Sequence, residues 1–85
     1  MTVEVRFSAM AVRSLLRSNK RALIRAKIEQ LANQPEALAA NVTRLQGRPE
    51  YRLRVQDWRV IFRRDDDVLW IDDVAPRASI YEAKT

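Results

Sequence analysis

The sequence predicts an α+β fold in the order β-α-α-β-β-β, an antiparallel twisted sheet with an N-terminal helical hairpin packed on one face. Two patterns carry this expectation. Between residues 8 and 33 the apolar positions recur at helical spacing, whereas from 51 to 74 they alternate with polar ones at strand spacing. The length is the third observation. With 85 residues, 47% of them apolar, the chain can support one compact core, so residues 1–85 are read as a single domain.

Each element follows from its own residues. Thr2–Phe7 alternates Val3, Val5 and Phe7 against Glu4 and Arg6 and reads as a strand. Ser8 is placed to cap a helix over A-M-A-V-R-S-L-L-R, with Ala11/Val12 and Leu15/Leu16 as its apolar stripe. Asn19 is the candidate cap of a second helix, K-R-A-L-I-R-A-K-I-E-Q-L-A, whose stripe is Ile24, Ile28 and Leu31. Asn33 and Pro35 stop it, and residues 36–43 read as a connection. Within that connection Asn41-Val42-Thr43 matches a glycosylation sequon, which is read as coincidence. Tyr51–Val55, Trp58–Arg64 and Val68–Val74 are rich in β-branched and aromatic residues and read as strands.

Composition removes whole classes of chemistry. There is no cysteine and no histidine, so thiolate nucleophiles, Ser-His-Asp arrangements and Cys- or His-based metal sites are excluded. No metal or cofactor is expected. The single glycine, Gly47, rules out a glycine-rich phosphate loop. No apolar run is long enough to span a membrane, which predicts a soluble, cytoplasmic protein without a membrane partner.

What remains is positive charge. Thirteen arginines and three lysines face eleven acids, and the excess is uneven. Residues 44–64 hold seven arginines against Glu50 and Asp57, while residues 65–85 are net acidic. Arginine in this proportion suits phosphate, which a guanidinium grips bidentately without losing its charge. A two-residue turn at Gln56-Asp57 would pair Val55 with Trp58 and Arg54 with Arg59. Tyr51, Leu53, Val55, Trp58, Val60 and Phe62 then share the core face. Arg52, Arg54 and Arg59 share the other face with Ile61 and Arg63. Like charges opposite one another destabilise a ladder. Either these arginines are screened, by water or by Asp72 or Asp73 on the next strand, or they form a cluster awaiting an anion. Trp70 falls on either face, depending on the length of the Asp65–Asp67 turn.

The segments Y-R-L-R-V-Q-D-W-R-V-I-F and V-A-P-R-A-S-I-Y, after a helix pair and an R-L-Q-G lead, resemble the RelE/ParE toxin superfamily of bacterial type II toxin–antitoxin modules. The resemblance spans essentially the whole chain. Its RelE-like branch implies a ribosome-dependent mRNA interferase that cleaves mRNA in the A site as an endoribonuclease without metal. Carried over position by position, it implies catalytic roles for Arg59, Arg77 and Tyr81, and RNA phosphate binding by Arg52 and Arg54. Arg63, on the same predicted face, joins the phosphate-binding set. Arg52 and Arg54 stand where the best-known relatives carry lysines, and Pro76 stands where related nucleases often carry a histidine. The general base is therefore open between Tyr81, Glu82 and a ribosomal group. The alternative is a ParE-like toxin that inhibits DNA gyrase by protein–protein binding. Either branch implies a cognate antitoxin, with operator DNA bound only through the toxin–antitoxin complex. The antitoxin is expected to screen Arg52, Arg54 and Arg59 or to displace the Arg77–Tyr81 segment.

Overall fold

The structure, a computed structural model, describes residues 3–77. Its sheet has five strands in the order β1-β5-β4-β3-β2. These are β1 (Glu4–Phe7), β2 (Val42–Arg44), β3 (Tyr51–Val55), β4 (Trp58–Asp65) and β5 (Val68–Pro76). Helices α1 (Ala9–Arg17) and α2 (Arg21–Asn33) form the N-terminal hairpin, and a 3₁₀ segment, Pro35–Asn41, leads into β2. The α+β architecture thus agrees with the expectation. Two features extend it. The sheet is antiparallel from β2 through β5, but β1 joins the β5 edge in parallel, with Val5 beside Leu69. A parallel neighbour needs a crossover connection, and here the whole chain between β1 and β5 supplies it. Strand β2 is the second addition. With only three residues it shows too little alternation to be recognised as a strand.

Ser8 ties the first helix to the sheet. Its hydroxyl accepts from the Ala11 amide at 3.0 Å, capping α1, and donates to the Asp72 carbonyl at 2.8 Å. The Asn19 cap is not realised. Ser18 Oγ accepts from the Lys20 amide at 2.9 Å instead, and Lys20 becomes the cap residue of α2 without a side-chain bond. Ser18 opens the three-residue connection between the helices and is buried there.

The core lies between the helices and one sheet face. Ile24, Ile28, Leu53, Val60, Ile71 and Val74 are fully buried there. Tyr51 and Phe62 stack across β3 and β4 with centroids 5.6 Å apart. The stripe expected on α1 is only half used. Ala11 and Leu15 are buried, but Val12 and Leu16 are 41% and 60% exposed. On a nine-residue helix these flanking positions turn past the edge of the core.

A bulge shifts the phase of β5. Phe62 pairs with Ile71 and Ile61 with Asp73, so Asp72 is the extra residue. Ile71 and Val74, three apart, therefore both face inward. Trp70 falls opposite Arg63 and Arg6, on the outer face. Among the described residues no helix is long and apolar enough to cross a membrane.

Two stability effects follow. Ile28→Ala, at a fully buried site, should cost about 2–5 kcal/mol in urea unfolding. Ser8→Ala loses the helix cap and the bond to β5, and should cost about 1–2 kcal/mol by the same measurement.

Candidate nucleic-acid interface on the outer sheet face

The β3–β4 hairpin has the register its residues imply, with Val55 opposite Trp58, Arg54 opposite Arg59 and Arg52 opposite Ile61. The two-residue turn requires a left-handed residue, and Gln56 adopts φ 54°. Opposed residues on such a ladder lie about 5 Å apart, so two guanidiniums start close together. Arg59 does not stay extended beside Arg54. Its Nη1 donates to the Gln56 carbonyl at 2.8 Å and to the Trp58 carbonyl at 3.0 Å. The residue is only 6% exposed, unusual for an arginine. The carbonyl dipoles of the turn offset part of its charge, and the turn gains a clamp.

Arg52, Arg54 and Arg59 then line one polar cavity of about 130 Å³ together with Ala40, Asn41 and Thr43. Arg54 is exposed and Arg52 half-buried, with its Nη1 withdrawn from solvent. The cavity lining among the described residues includes no carboxylate. It is a concave site that combines three arginines with short neutral residues. Such a site has the size and charge for a single phosphate-like group.

Arg77 is brought to the same hairpin from the far end of the chain. Its amide donates to the Asp57 carbonyl at 2.8 Å, so the turn holding Arg59 also anchors Arg77. Arg63 belongs elsewhere. Its Nε meets Asp72 Oδ2 at 2.9 Å, and its guanidinium lies 5.2 Å from the Trp70 ring centroid. Arg6 approaches the same ring at 5.7 Å and pairs with Glu4 at 2.7 Å. The acid expected to pair with an outer-face arginine is thus Asp72, and it takes Arg63 away from the cluster. The outer face is also less open than its alternation suggests. Leu45 folds over it and buries Ile61 against Ala75. Tyr81 and Glu82 lie outside the described residues.

A family model described as the ParE toxin of the type II toxin–antitoxin system parDE matches residues 5–81. The chain belongs to this RelE/ParE-like toxin family. No curated protein matches it. Solved structures similar to the toxin include RelE in the archaeal RelE–RelB complex from Pyrococcus horikoshii OT3. That match has 27% identity, covers 91% of this chain and 97% of that one, and has a TM-score of 0.75. YafQ from E. coli strain BL21(DE3) is 17% identical over 93% of this chain and 98% of its own, with a TM-score of 0.76. The RelB–RelE complex from Methanococcus jannaschii gives 24% identity, 89% and 94% coverage, and a TM-score of 0.71. The last two similarities concern the fold.

In the toxin, Asn41 and Thr43 are the cavity residues that sequence reasoning passed over. Thr43 pairs with Arg52 across β2 and β3, and that placement depends on a strand too short to be recognised. The N-x-T match did flag both residues, but for a chemistry unrelated to their position.

The turn clamp can be checked directly. Gln56→Gly removes a left-handed non-glycine residue while keeping the carbonyl that Arg59 uses, and should stabilise the toxin by about 0.5–1 kcal/mol. Arg59→Ala should destabilise it by about 1–3 kcal/mol, because two bonds to backbone carbonyls are lost. Both are read as shifts in the urea midpoint.

Proposed function

We propose that this toxin is a ribosome-dependent mRNA interferase, held in check by a cognate antitoxin that also carries it to operator DNA. The observation that carries the reading is the convergence of Arg52, Arg54 and Arg59 on one polar cavity. Arg77 is anchored on the turn that closes the same hairpin.

The chemistry that suits the site is attack by a ribose 2′-oxygen on the adjacent phosphorus. The P–O5′ bond breaks, leaving a cyclic 2′,3′-phosphate and a 5′-hydroxyl. Such a reaction needs a base for the 2′-proton, cations for the phosphorane and an acid for the departing oxygen. Arginine supplies the second requirement well and the first poorly, since it does not give up its own proton near neutral pH. Arg59 has Nη1 committed to the turn, which fixes the guanidinium plane and leaves Nε and Nη2 to meet the scissile phosphate. Arg77 grips that phosphate from the other side of the turn. Arg52 and Arg54 neutralise neighbouring phosphates, and Asn41 and Thr43 offer neutral hydrogen bonds. Tyr81 stacks on the nucleotide or takes the 2′-proton, a role that Glu82 or a ribosomal group could fill in its place. Rate enhancement is then chiefly alignment and electrostatic stabilisation. Arg63, held by Asp72 and Trp70, supports the sheet and has no part in this set.

Gyrase inhibition is the competing activity of the superfamily. The resemblance associates it with a longer helical hairpin, whereas α1 and α2 here have 9 and 13 residues.

The test is translation of a defined mRNA on purified ribosomes, with cleavage mapped by primer extension. Cuts should fall within the A-site codon, and Arg54→Ala or Arg77→Ala should each reduce the rate by about 100-fold. Undiminished cleavage by an Arg59→Ala/Arg77→Ala double variant would remove the site assignment. Inhibition of gyrase supercoiling without RNA cleavage would replace the reading altogether. Binding of a short single-stranded RNA should weaken with salt, and Arg54→Ala should lower the log–log slope by about 0.7.

A further inference from the structure

Strand β2 sets two neutral polar residues beside the arginines of β3. Thr43 stands opposite Arg52, and Val42 opposite Leu53. Continuing that register by one residue brings Asn41, the last of the 3₁₀ segment, level with Arg54. Val42 packs against the core, so by alternation Asn41 and Thr43 belong to the outer face, with Arg52 and Arg54. All four line the polar cavity. Among the described residues no hydrogen bond engages the Thr43 hydroxyl or the Asn41 amide. Strand β2 is also the last of the sheet, so no further strand covers this rim.

We propose that Thr43 and Asn41 recognise ribose 2′-hydroxyls, so that the arginine cavity accepts RNA in preference to DNA. The inference deepens the interferase reading and rests on it, since it takes the cavity to hold phosphates of a single strand.

The connectivity of a nucleotide supports this placement. The 2′-hydroxyl sits on the carbon next to the one that bears the 3′-phosphate, so a phosphate held by Arg52 or Arg54 brings a 2′-hydroxyl with it. Opposed residues on neighbouring strands lie about 5 Å apart, and a sugar attached to that phosphate therefore reaches β2. Residues two apart on a strand are separated by about 6.6 Å, close to the spacing of successive phosphates on an extended single strand. Arg52 and Arg54 share that spacing with Thr43 and Asn41. Each step along the nucleic acid then meets one cation and one neutral hydrogen-bonding group.

The chemistry divides the work in the same way. A guanidinium only donates, and it grips the phosphates of RNA and DNA alike. A 2′-hydroxyl both donates and accepts, and it is the group that tells the two sugars apart. The threonine hydroxyl and the asparagine amide can each answer it in both senses. A base fits this place less well. The cavity is filled by one phosphate-like group, and its described lining includes no aromatic ring on which a base could stack.

The test is fluorescence-anisotropy titration of the full chain, without ribosomes and at low salt. The probes are a single-stranded oligoribonucleotide, the deoxyribonucleotide of the same sequence and a 2′-fluoro strand of that sequence. The fluoro strand keeps an RNA-like sugar pucker but has no hydroxyl to donate. The wild-type chain should bind the ribo strand about fivefold or more tightly than the other two. Thr43→Val combined with Asn41→Ala should lower ribo-strand affinity to that of the deoxy strand while moving deoxy-strand affinity little. That second reading also shows that the variant is folded with its arginines in place. Thr43→Ser, which keeps the hydroxyl, should retain most of the preference. Equal wild-type affinity for all three strands, or an RNA preference that survives the double variant, would overturn the sugar assignment. So would a fluoro strand that binds like the ribo strand, because pucker rather than the hydroxyl would then be read. In each of these cases A-site cleavage in the translation assay leaves the interferase reading standing. No binding of any strand, or binding indifferent to Arg54→Ala, would overturn the inference together with the arginine cavity on which that reading is built.

Discussion

Pairing Val55 with Trp58 across a two-residue turn forces Arg54 to stand opposite Arg59, and much of the outer sheet face is arranged around that juxtaposition. Two like charges on one rung destabilise a hairpin that the core needs, since Leu53, Val55 and Val60 on the reverse side are all buried. The conflict is resolved locally. Arg59 turns onto the carbonyls of Gln56 and Trp58, and the strained turn it clamps presents the Asp57 carbonyl to Arg77. One guanidinium therefore stabilises the turn, relieves the ladder and shapes the polar cavity.

The outer face divides into two electrostatic regions. Toward β1, each cation has its own acid, Arg6 with Glu4 and Arg63 with Asp72, and both flank Trp70. Toward β2, Arg52, Arg54 and Arg59 gather around a cavity whose described lining carries no acid. The apolar cluster of Leu45, Ile61 and Ala75 lies between them. The bulge at Asp72 contributes to this division, because the extra residue brings a carboxylate within reach of Arg63. Net charge alone cannot distinguish the two regions. Position within the sheet does: the first region pairs each arginine with an acid, and the second gathers three arginines at a cavity without a carboxylate in its described lining.

Much of this was legible in the residues themselves. Period-2 alternation set the β3–β4 faces and register, and Ser8 marked the start of α1, because both signals are local and repeated along several positions. The features that escaped depend on distant partners. The parallel pairing of β1 with β5 links residues more than sixty positions apart. Strand β2 has three residues and gains its identity only beside β3. Asn19 is the expected cap of α2, yet Lys20 takes the cap position and Ser18 makes the local bond to its amide. That outcome is set by the path of the connection between the helices. Arg63 shares a face with Arg59 by alternation, yet its ionic partner was decided by the Asp72 bulge, which no periodic pattern announces. The half-exposed stripe on α1 was likewise invisible, since periodicity gives the apolar direction of a helix but not how much of it the sheet can cover.

The edge position of β1 has a consequence for how the chain reaches its native state. Its rungs are completed by β5, and Ser8 hydrogen-bonds to Ile71 and Asp72 on that strand. During synthesis the helical hairpin emerges early, but the strand it must be stapled to emerges near the end. Local helix formation can precede that moment, whereas closure of the core must wait for a loop spanning most of the chain to close. The arginine cavity is not subject to that delay. Its walls, from Ala40 to Arg59, come from consecutive elements that can pair locally. The helix-to-sheet closure, rather than the cavity, is the late product of folding.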